Sequence, residues 1–440
     1  MTVLAMDIEM AARNLKQHVR RNAFLGGALA AVTGLLVMLG GLTSGMEEAM
    51  MRSAETLLTG QVNVGGFFKV TNGSAAPLVS DYPKALDTLK QQVDGDIDYY
   101  TVRVRGWAKG VSETASMDLV LGGIDVDHEP KLPEVLRFIG GDLSALKQPN
   151  TLLLFESQAK RLKVQVGDAI TLSAPTARNV NNTVDVKVGA VARDVGLLSS
   201  FSAFIEAGTL RALYGLNDTT TGAIHVYLKD RRAEHAKAVA ARLRTAYADS
   251  GWRVMEPAAQ PYWIKLMISV PSEDWTGQKI DVTTSDDEMG QFKQFLVALR
   301  VVTALLVLIL MMVVIIGIWN TLAIAVRERT KEIGTLRAIG MQRRKVLWLF
   351  VLETALLGLI GTAGGALLFS GLALGLNALA IRLPDAVQVF LAMENLTFVL
   401  DPGGIARNVI VLTLITVLAS ILPARRAARL RPVTAMHHIG

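Results

Sequence analysis

The stretch VVTALLVLILMMVVIIGIWNTLAIAV, residues 301–326, contains no charged residue. Since roughly 20 consecutive apolar residues in helical form cross the hydrocarbon core of a bilayer, this stretch predicts a transmembrane helix. Further apolar runs lie at residues 23–42, at residues 347–381, where only Glu353 is charged, and at about residues 405–422. Of the 440 residues, 51% are hydrophobic and 19% charged, and the mean hydropathy is +0.37. This composition indicates a membrane protein, and the runs predict four transmembrane helices.

The third run, residues 347–381, is longer than one crossing requires. It either projects beyond the bilayer or bends near Gly361, Gly364 and Gly365, where the helix is weakest. A double crossing would need a polar turn. We therefore interpret the run as one span.

Positive charge is distributed unevenly around these runs. Residues 1–22, 326–346 and 423–440 together carry fifteen Lys and Arg but four Asp and Glu. Because Lys and Arg near membrane ends are retained in the cytoplasm, both termini and the loop after the second run are predicted to be cytoplasmic. Nucleic-acid binding is the weaker interpretation of this charge. The leader is long and no clear A-x-A site follows the first run, which favours an anchor over a cleaved signal peptide.

The predicted organisation follows from these assignments. In chain order it comprises a cytoplasmic amphipathic segment (1–22), transmembrane helix 1 (23–42), an extracytoplasmic domain with stalk helices (43–294), transmembrane helix 2 (295–326), a cytoplasmic loop (327–346), transmembrane helix 3 (347–381), a short extracytoplasmic loop (382–404), transmembrane helix 4 (405–422) and a cytoplasmic tail (423–440). The fold class is thus an α-helical membrane domain with an α+β domain inserted between its first two helices.

The inserted domain shows both strand and helix patterns. Strands are expected at residues 61–70, 99–107, 168–172, 184–191 and 223–228, and helices at residues 82–93 and 233–247. Residues 174–183 resemble a hairpin tip or exposed loop, and residues 271–284 an irregular segment. Ser285 and Glu288 fit a capping box at the start of a helix that continues into the second span.

Residue types that carry catalysis are scarce. The chain has no cysteine, and its six histidines include His437 and His438, which are adjacent and so lack the spacing of a metal-binding helix. Asp125, Asp127, His128 and Glu129 could hold a hard cation, but a charged loop is the simpler interpretation because calcium-loop spacing is absent. There is no G-x-S-x-G elbow and no G-x-x-x-x-G-K-[ST] phosphate loop. No catalytic residue and no metal site are therefore predicted, and energy from ATP would have to come from a partner.

The second cytoplasmic loop contains a specific motif. Residues 320–346 are NTLAIAVRERTKEIGTLRAIGMQRRKV, and residues 423–436 are PARRAARLRPVTAM. These resemble the E-R-T-x-E-I-G-x-x-R-A-x-G signature and the closing P-A-x-R-A-A segment of the FtsX-like permease domain in the MacB, LolC and LolE group of ABC transporters. Ala12 to Leu15 resemble that family's segment before the first span. The order of one span, a large domain and three more spans also agrees.

The resemblance implies roles for particular residues. Residues 328–339 would form a short helix along the membrane, the coupling helix, that docks on an ATPase subunit, while a loop that only anchors lipid headgroups is the alternative. The residues assigned to ATPase coupling are Arg327, Glu328, Arg329, Lys331, Glu332, Ile333, Gly334, Leu336, Arg337 and Gly340. Glu353, an intramembrane carboxylate that needs a partner, is assigned as a latch to this helix or to Arg343 or Arg344.

Function is likewise expected from the resemblance. The chain would be the permease subunit that converts ATP hydrolysis by a separate ATPase, which binds ATP and Mg, into periplasmic motion that extracts or exports lipoproteins or other amphiphiles. The alternatives are MacB-like efflux with an adaptor and an outer-membrane channel, and FtsX-like regulation of cell-wall hydrolases. Expected partners are the ATPase dimer, a second permease copy or paralogue, a periplasmic carrier or adaptor, and lipids in the inner membrane. Candidate residues for an apolar substrate cavity are Met50, Met51, Met267, Met289 and Phe292.

Overall fold

The chain forms two compact units. The computed structural model describes residues 9–11, 13–15, 17, 19–71, 74–176, 180–195, 199, 202–328, 335, 340–384, 387–388, 393 and 395–428. The helical unit comprises the chain up to Gly45, Leu296–Arg382 and the chain from Asn395 onward. The sheet unit comprises Met46–Phe295 and Leu383–Glu394.

Among the described residues, four helices are long and apolar enough to cross a membrane. They are α1 (Val19–Leu57), α8 (Gly290–Glu328), α9 (Arg343–Ala378) and α10 (Pro402–Ala428). The third apolar run is one continuous helix, α9. With the mixed sheet of the other unit, these helices confirm the predicted fold class.

The helical unit is packed through glycine and apolar side chains. A Cβ at Gly361 would lie 2.9 Å from the carbonyl oxygen of Gly26, and one at Gly365 would lie 2.4 Å from that of Ala30. Glycines at these positions let α1 and α9 approach backbone to backbone, as small residues do in membrane helices. Gly361 and Gly365 thus serve helix packing in α9. Gly34 also leaves no room for a Cβ, but there the neighbouring group is a side chain, the ring of Phe369.

Buried hydroxyls in the apolar helices are satisfied locally. Thr33, Thr354 and Thr416 each donate to the carbonyl four residues earlier, at 2.8–2.9 Å. The hydroxyls of Thr362 and Thr413 lie 3.0 Å apart and link α9 to α10. Such bonds remove the cost of placing a hydroxyl in an apolar environment.

The described part of the sheet unit contains eleven strands, interspersed with shorter helices. The strands are β1 Val62–Thr71, β2 Ser74–Ala76, β3 Ile97–Val111, β4 Ser116–Ile124, β5 Phe138–Gly141, β6 Thr151–Phe155, β7 Ala169–Pro175, β8 Asn181–Ala192, β9 Ser202–Glu206, β10 Ala223–Leu228 and β11 Gly277–Thr284. The α-helices of at least four residues are α2 Tyr82–Val93, α3 Leu132–Val135, α4 Glu156–Leu162, α5 Ala207–Tyr214, α6 Ala233–Asp249 and α7 Ser285–Glu288, with 3₁₀ turns at Asp94–Asp96, Val126–His128 and Leu143–Lys147. A further helical segment, of mixed type, spans residues 262–272.

The strand order is β11-β1-β10-β3-β4-β9-β6-β8-β5, with β2 beside β1 and β7 beside β3 and β8. Most pairs are antiparallel, but β4–β9 and β6–β8 are parallel, so the sheet is mixed. Helices α2 and α6 cover β1, β10 and β11 through a core that includes Leu89, Leu243 and Tyr247. A second core lies under α5, around Leu119, Leu172 and Leu210.

All five expected strands and both expected helices are present, with ends displaced by a few residues at most, apart from the longer β3. Residues 174–183 lie at the β7–β8 hairpin, in which Pro175 is opposite Asn181; residues 177–179 are outside the described part. Strands β2, β4, β5, β6 and β9 were missed. The residues of β6, TLLLF, are all buried, and residues 152–155 form an uninterrupted apolar run, which lacks the alternation of a half-exposed strand.

Two local predictions were wrong. More than half of the segment expected to be irregular, residues 271–284, is strand β11, which pairs with β1 from Gly277 to Thr284. Because several residues on its buried side are polar, including Asp281, the strand lacks the usual alternation of apolar and polar residues. The capping box is also displaced by one residue: the side chain of Thr284 accepts from the Asp287 amide, and the Asp287 carboxylate accepts from the Thr284 amide. Glu288 takes no part in the capping box and instead accepts hydrogen bonds from Thr283 and Tyr262.

We predict that Gly365→Ala destabilises the helical unit by about 1–3 kcal/mol, because the added methyl meets the backbone of Ala30, which cannot yield as a side chain does. Gly364→Ala is the matched control, since a methyl there would meet no described atom within 4 Å. Alanine at this position should be neutral or stabilising by up to about 1 kcal/mol. Thermal unfolding in detergent measures both variants, and equal melting temperatures would contradict the packing role of Gly365.

Candidate functional site

The predicted coupling residues lie between α8 and α9. Arg327 is exposed on the last turn of α8, and Glu328 ends that helix, although its side chain is not described. Gly340 has a φ of +107°, a conformation that glycine adopts at low cost, and lies two residues before Gln342, the N-cap position of α9. The remaining coupling residues, Arg329, Lys331, Glu332, Ile333, Gly334, Leu336 and Arg337, lie outside the described residues. The docking assignment stays a prediction.

Glu353 lies in α9, where its side chain is 7% exposed and next to buried Thr354. Arg343 and Arg344 are exposed at the start of the same helix. Burial agrees with the expectation that an intramembrane carboxylate faces protein rather than lipid. Its assignment as a latch stays a prediction.

Two of the candidate cavity residues, Met51 and Met289, belong to one apolar cluster of the sheet unit. Met289 is 2% exposed and packs with Ala54, Met51 and Leu58. Met50 is also buried, whereas Met267 is 58% exposed and lies outside this cluster. The Phe292 side chain is not described. Met51 and Met289 thus join the end of α1 to the α7–α8 region, and a cavity stays a prediction.

The charged cluster at residues 125–129 is divided between two surroundings. His128 lies 2.8 Å from the Asp125 carboxylate, and Asp127 pairs with Lys147, all on the surface. Glu129 is buried. Among the described residues, no group of three or more His, Cys, Asp or Glu could hold a metal ion. His437 and His438 lie outside the described residues.

The C-terminal end of α1 is held by a buried arginine that sequence reasoning missed. On β3, Arg103 donates from Nε and Nη2 to the two carboxylate oxygens of Glu129, at 2.6 and 2.7 Å. Its Nη1 donates to the Leu57 carbonyl at 2.9 Å, and Nη2 also to that of Thr56 at 2.8 Å. The hydroxyl of Tyr227 donates to the next carbonyl, that of Glu55, at 2.8 Å.

These contacts meet a general need of helix ends. The last carbonyls of a helix have no intrahelical donor and carry partial negative charge, so a cation there is stabilising. Burial alone lowers the pKa of the Arg103 guanidinium, but the Glu129 carboxylate, with smaller contributions from Tyr227 and Tyr99, more than offsets this, and the net shift of the pKa is upward. Arg103 therefore stays charged and links the end of α1 to β3. In TVRVRGW, Val102 and Val104 alternate with the polar residues Thr101, Arg103 and Arg105. This alternation predicts that Arg103 lies on the exposed face of β3, so the local sequence carries no signal for its burial.

The start of the α7–α8 region is fixed by acidic side chains. Beside the Thr284–Asp287 capping box, Asp286 accepts from Lys293 at 2.6 Å, within the first turn of α8. Glu288 accepts from the Thr283 hydroxyl at 2.8 Å and from the Tyr262 amide at 3.1 Å. Burial raises the pKa of the Glu288 carboxyl, and the nearby Arg105 guanidinium and these two hydrogen bonds offset the effect only in part.

Residues 304–432, from within α8 to beyond α10, match the family described as FtsX-like permease C-terminal. This chain carries an FtsX-like permease domain. The predicted resemblance is thereby confirmed over the three later spans and the loop between α8 and α9. The match covers the later part of the chain and leaves most of the sheet unit outside it.

Part of the chain is also similar to curated proteins. The macrolide export ATP-binding/permease protein MacB of Agrobacterium fabrum (strain C58) is 35% identical over 121 residues, which are 28% of this chain and 17% of that protein. MacB of Burkholderia cenocepacia (strain HI2424) is 34% identical over 140 residues, 32% of this chain and 18% of that protein. The chain thus matches less than a fifth of the length of these two relatives.

Two solved structures resemble part of the chain. The periplasmic region of MacB from Actinobacillus actinomycetemcomitans is 14% identical, with a TM-score of 0.31, covering 55% of this chain and 95% of that one. The extracellular domain of the noncanonic ABC-type transporter YknZ from Gram-positive bacteria is 12% identical, with a TM-score of 0.29, covering 43% and 95%.

We predict that Arg103→Met destabilises the sheet unit by about 3–5 kcal/mol, because it leaves the Glu129 carboxylate buried without its cation. The double variant Arg103→Met/Glu129→Met removes both charges and should lose less. Lys131→Met, at an exposed ion pair with Glu134, is the control and should change little. The unfolding midpoints of the full chain in detergent measure these differences. A double variant less stable than Arg103→Met would contradict the claim that the unpaired Glu129 carboxylate causes the loss of stability.

Glu288 generates a pH-dependent prediction. Its pKa is above the ordinary 4.5, so the folded chain holds this proton more tightly than the unfolded chain does. The resulting stability is present below pH 4.5 and is lost as pH rises through the folded-state pKa. Glu288→Gln, which does not ionise, should therefore gain melting temperature relative to the wild type as pH rises from 4.5 to 7. Exposed Glu256→Gln should track the wild type, and a Glu288→Gln difference of opposite slope would refute the assignment.

Proposed function

We propose that this chain is the transmembrane subunit of an ABC transporter of the mechanotransmission type. A separate ATPase subunit binds ATP and Mg and hydrolyses ATP. The loop between α8 and α9 docks on that ATPase from the cytoplasm, and the sheet unit lies in the periplasm, with both termini cytoplasmic and the chain in the inner membrane. The chain itself catalyses no reaction. The observation that carries the proposal is the FtsX-like match at residues 304–432, which includes the coupling residues.

The two helices that lead into the sheet unit support a mechanical role. Helix α1 ends in it with three successive carbonyls, those of Glu55, Thr56 and Leu57, bound by Tyr227 and Arg103. Strand β11 leads directly into the capping box that starts α7. In the proposed mechanism, ATP binding favours one of two states of the assembly, and movement of α1 and α8 reaches β3 and β11 through these fixed ends.

The proposed cargo is a lipoprotein or another amphiphile already in the periplasm or outer leaflet. The second candidate, export of antibiotics with an adaptor and an outer-membrane channel, is favoured by the names of the MacB relatives, which are macrolide exporters. Both require a dimer of this subunit, or a pair with a paralogue. Regulation of a cell-wall hydrolase is the remaining class, in which the same motion acts on an enzyme and nothing is transported.

The test is co-purification of the full chain in mild detergent, with partners identified by mass spectrometry. We expect a separate ATPase with a phosphate-binding loop. Bound lipoprotein supports extraction, an adaptor or outer-membrane channel supports efflux, and a cell-wall hydrolase supports regulation. Recovery without an ATPase, under conditions that keep known complexes together, would overturn the proposal.

The same preparation tests the coupling residues. Arg329→Glu/Glu332→Arg should abolish ATPase recovery and stimulated ATP hydrolysis while leaving membrane insertion intact, because it reverses the charges proposed to dock. Arg407→Glu, at an exposed position near the start of α10, is the control and should retain both. Full activity of the double variant would remove the docking assignment.

A further inference from the structure

Residues 262–272 form a continuous helical segment of unusual build in the sheet unit. Tyr262–Ile264 and Val270–Ser272 are α-helical, and Lys265–Ser269 between them is a π-helix. π-Helical turns are rare and frequently occur at functional sites. We call residues 262–272 the π-segment.

In the π-segment, the usual placement of charged and apolar side chains is reversed. Lys265 is 2% exposed, whereas Met267 and Ile268 are 58% and 66% exposed and Trp263 is 37% exposed. A lysine is almost never fully buried unless it is paired, and large apolar side chains are ordinarily placed inside. The π-segment therefore presents three apolar side chains outward and keeps its one cation inside.

Specific contacts hold this arrangement in place. The ammonium of Lys265 lies 2.9 Å from both carboxylate oxygens of Asp281 on β11. At the end of the π-segment, the buried ammonium of Lys69 on β1 donates to the carbonyls of Val270, at 3.0 Å, and Glu273, at 2.7 Å. These hydrogen bonds fix the π-segment to β1 and β11, so its apolar side chains have a defined position on the surface.

The start of the π-segment is tied to the beginning of an apolar span. The Tyr262 amide donates to Glu288, and Arg105 stacks on the Tyr262 ring with its guanidinium carbon 3.9 Å from the centroid. The candidate span in α8 begins at Lys293, five residues after Glu288. At a rise of 1.5 Å per residue, the contact with Glu288 lies about 8 Å along the chain from that boundary. The headgroup region adds roughly 5–8 Å to each side of the hydrocarbon core, so this contact lies near the outer edge of the headgroup region.

We propose that the π-segment is an interfacial membrane anchor, in which Trp263, Met267 and Ile268 enter the headgroup region of the leaflet where α8 begins. Tryptophan is enriched at this level of the bilayer, because its ring is apolar and its N–H is polar. The cation of the π-segment is buried in an ion pair, so binding depends on apolar insertion and needs no anionic lipid. The occupant is a lipid surface, and the anchor holds the β11–α7 end of the sheet at a fixed depth.

The absence of cysteine from the sequence makes a direct test clean. The full chain carrying Ile268→Cys is labelled with an environment-sensitive fluorophore and placed in phosphatidylcholine nanodiscs. Ile139→Cys is the matched control: the same residue type, 53% exposed, on β5 at the opposite end of the strand order from β11. Quenching is measured with lipid-attached nitroxide and with aqueous iodide.

We expect the label at residue 268 to be quenched by the lipid nitroxide and several-fold less by iodide than the label at residue 139. Equal iodide quenching at both sites, without lipid quenching, would overturn the proposal. Protection from iodide without lipid quenching would overturn it as well, because a protein surface, such as a second copy, would then cover the π-segment.

A second variant tests whether the exposed apolar side chains insert into the membrane or stabilise the fold. Met267→Ser/Ile268→Ser changes only exposed side chains, so its melting temperature in detergent should equal that of the wild type. In nanodiscs, a label at Trp263→Cys should become more accessible to iodide in this background. An unchanged accessibility would count against insertion.

Discussion

The ends of long helices are a constraint on this protein, since their last carbonyls need donors that the helix itself cannot provide. Helix α1 ends inside the sheet unit. Its last carbonyls receive their donors from the guanidinium of Arg103, which binds two of them and the Glu129 carboxylate at the same time. Removing the cation would leave four acceptors buried without it. The packing of β3, of the turn that carries Glu129, and of the end of α1 depends on this one group.

The same principle organises the other end of the sheet. Thr284 and Asp287 satisfy the first amides of α7, and Lys69 supplies donors to carbonyls at the end of the π-segment. Lys69, Lys265 and Asp281 are all buried, and each is hydrogen-bonded. Buried charge is tolerable in these positions because every group has a partner, and it fixes the geometry of elements that apolar packing alone would hold less specifically.

In the helical unit the constraint is different, because apolar side chains there gain little by leaving lipid for protein. Close approach between α1 and α9 comes instead from glycine at Gly26, Gly361 and Gly365 and from alanine at Ala30. Hydroxyls such as that of Thr362 satisfy themselves within the helix. The sequence shows these glycines, but it also permits them to be bends in a long helix; contact with α1 decides that two of them are packing surfaces.

The sequence by itself determined the four apolar helices, the inserted α+β domain and the FtsX-like motif, because bilayer thickness and helical or strand periodicity act on neighbouring residues. It also placed the hairpin at residues 174–183, through turn-forming residues. The tertiary structure decided which polar residues are buried: Arg103 meets Glu129 across 26 positions, and Lys69 meets Val270 across 201. It likewise decided that β11 is a strand and that Met267 and Ile268 point outward. Such pairings depend on the register of distant strands, and hydropathy along the chain carries no record of them.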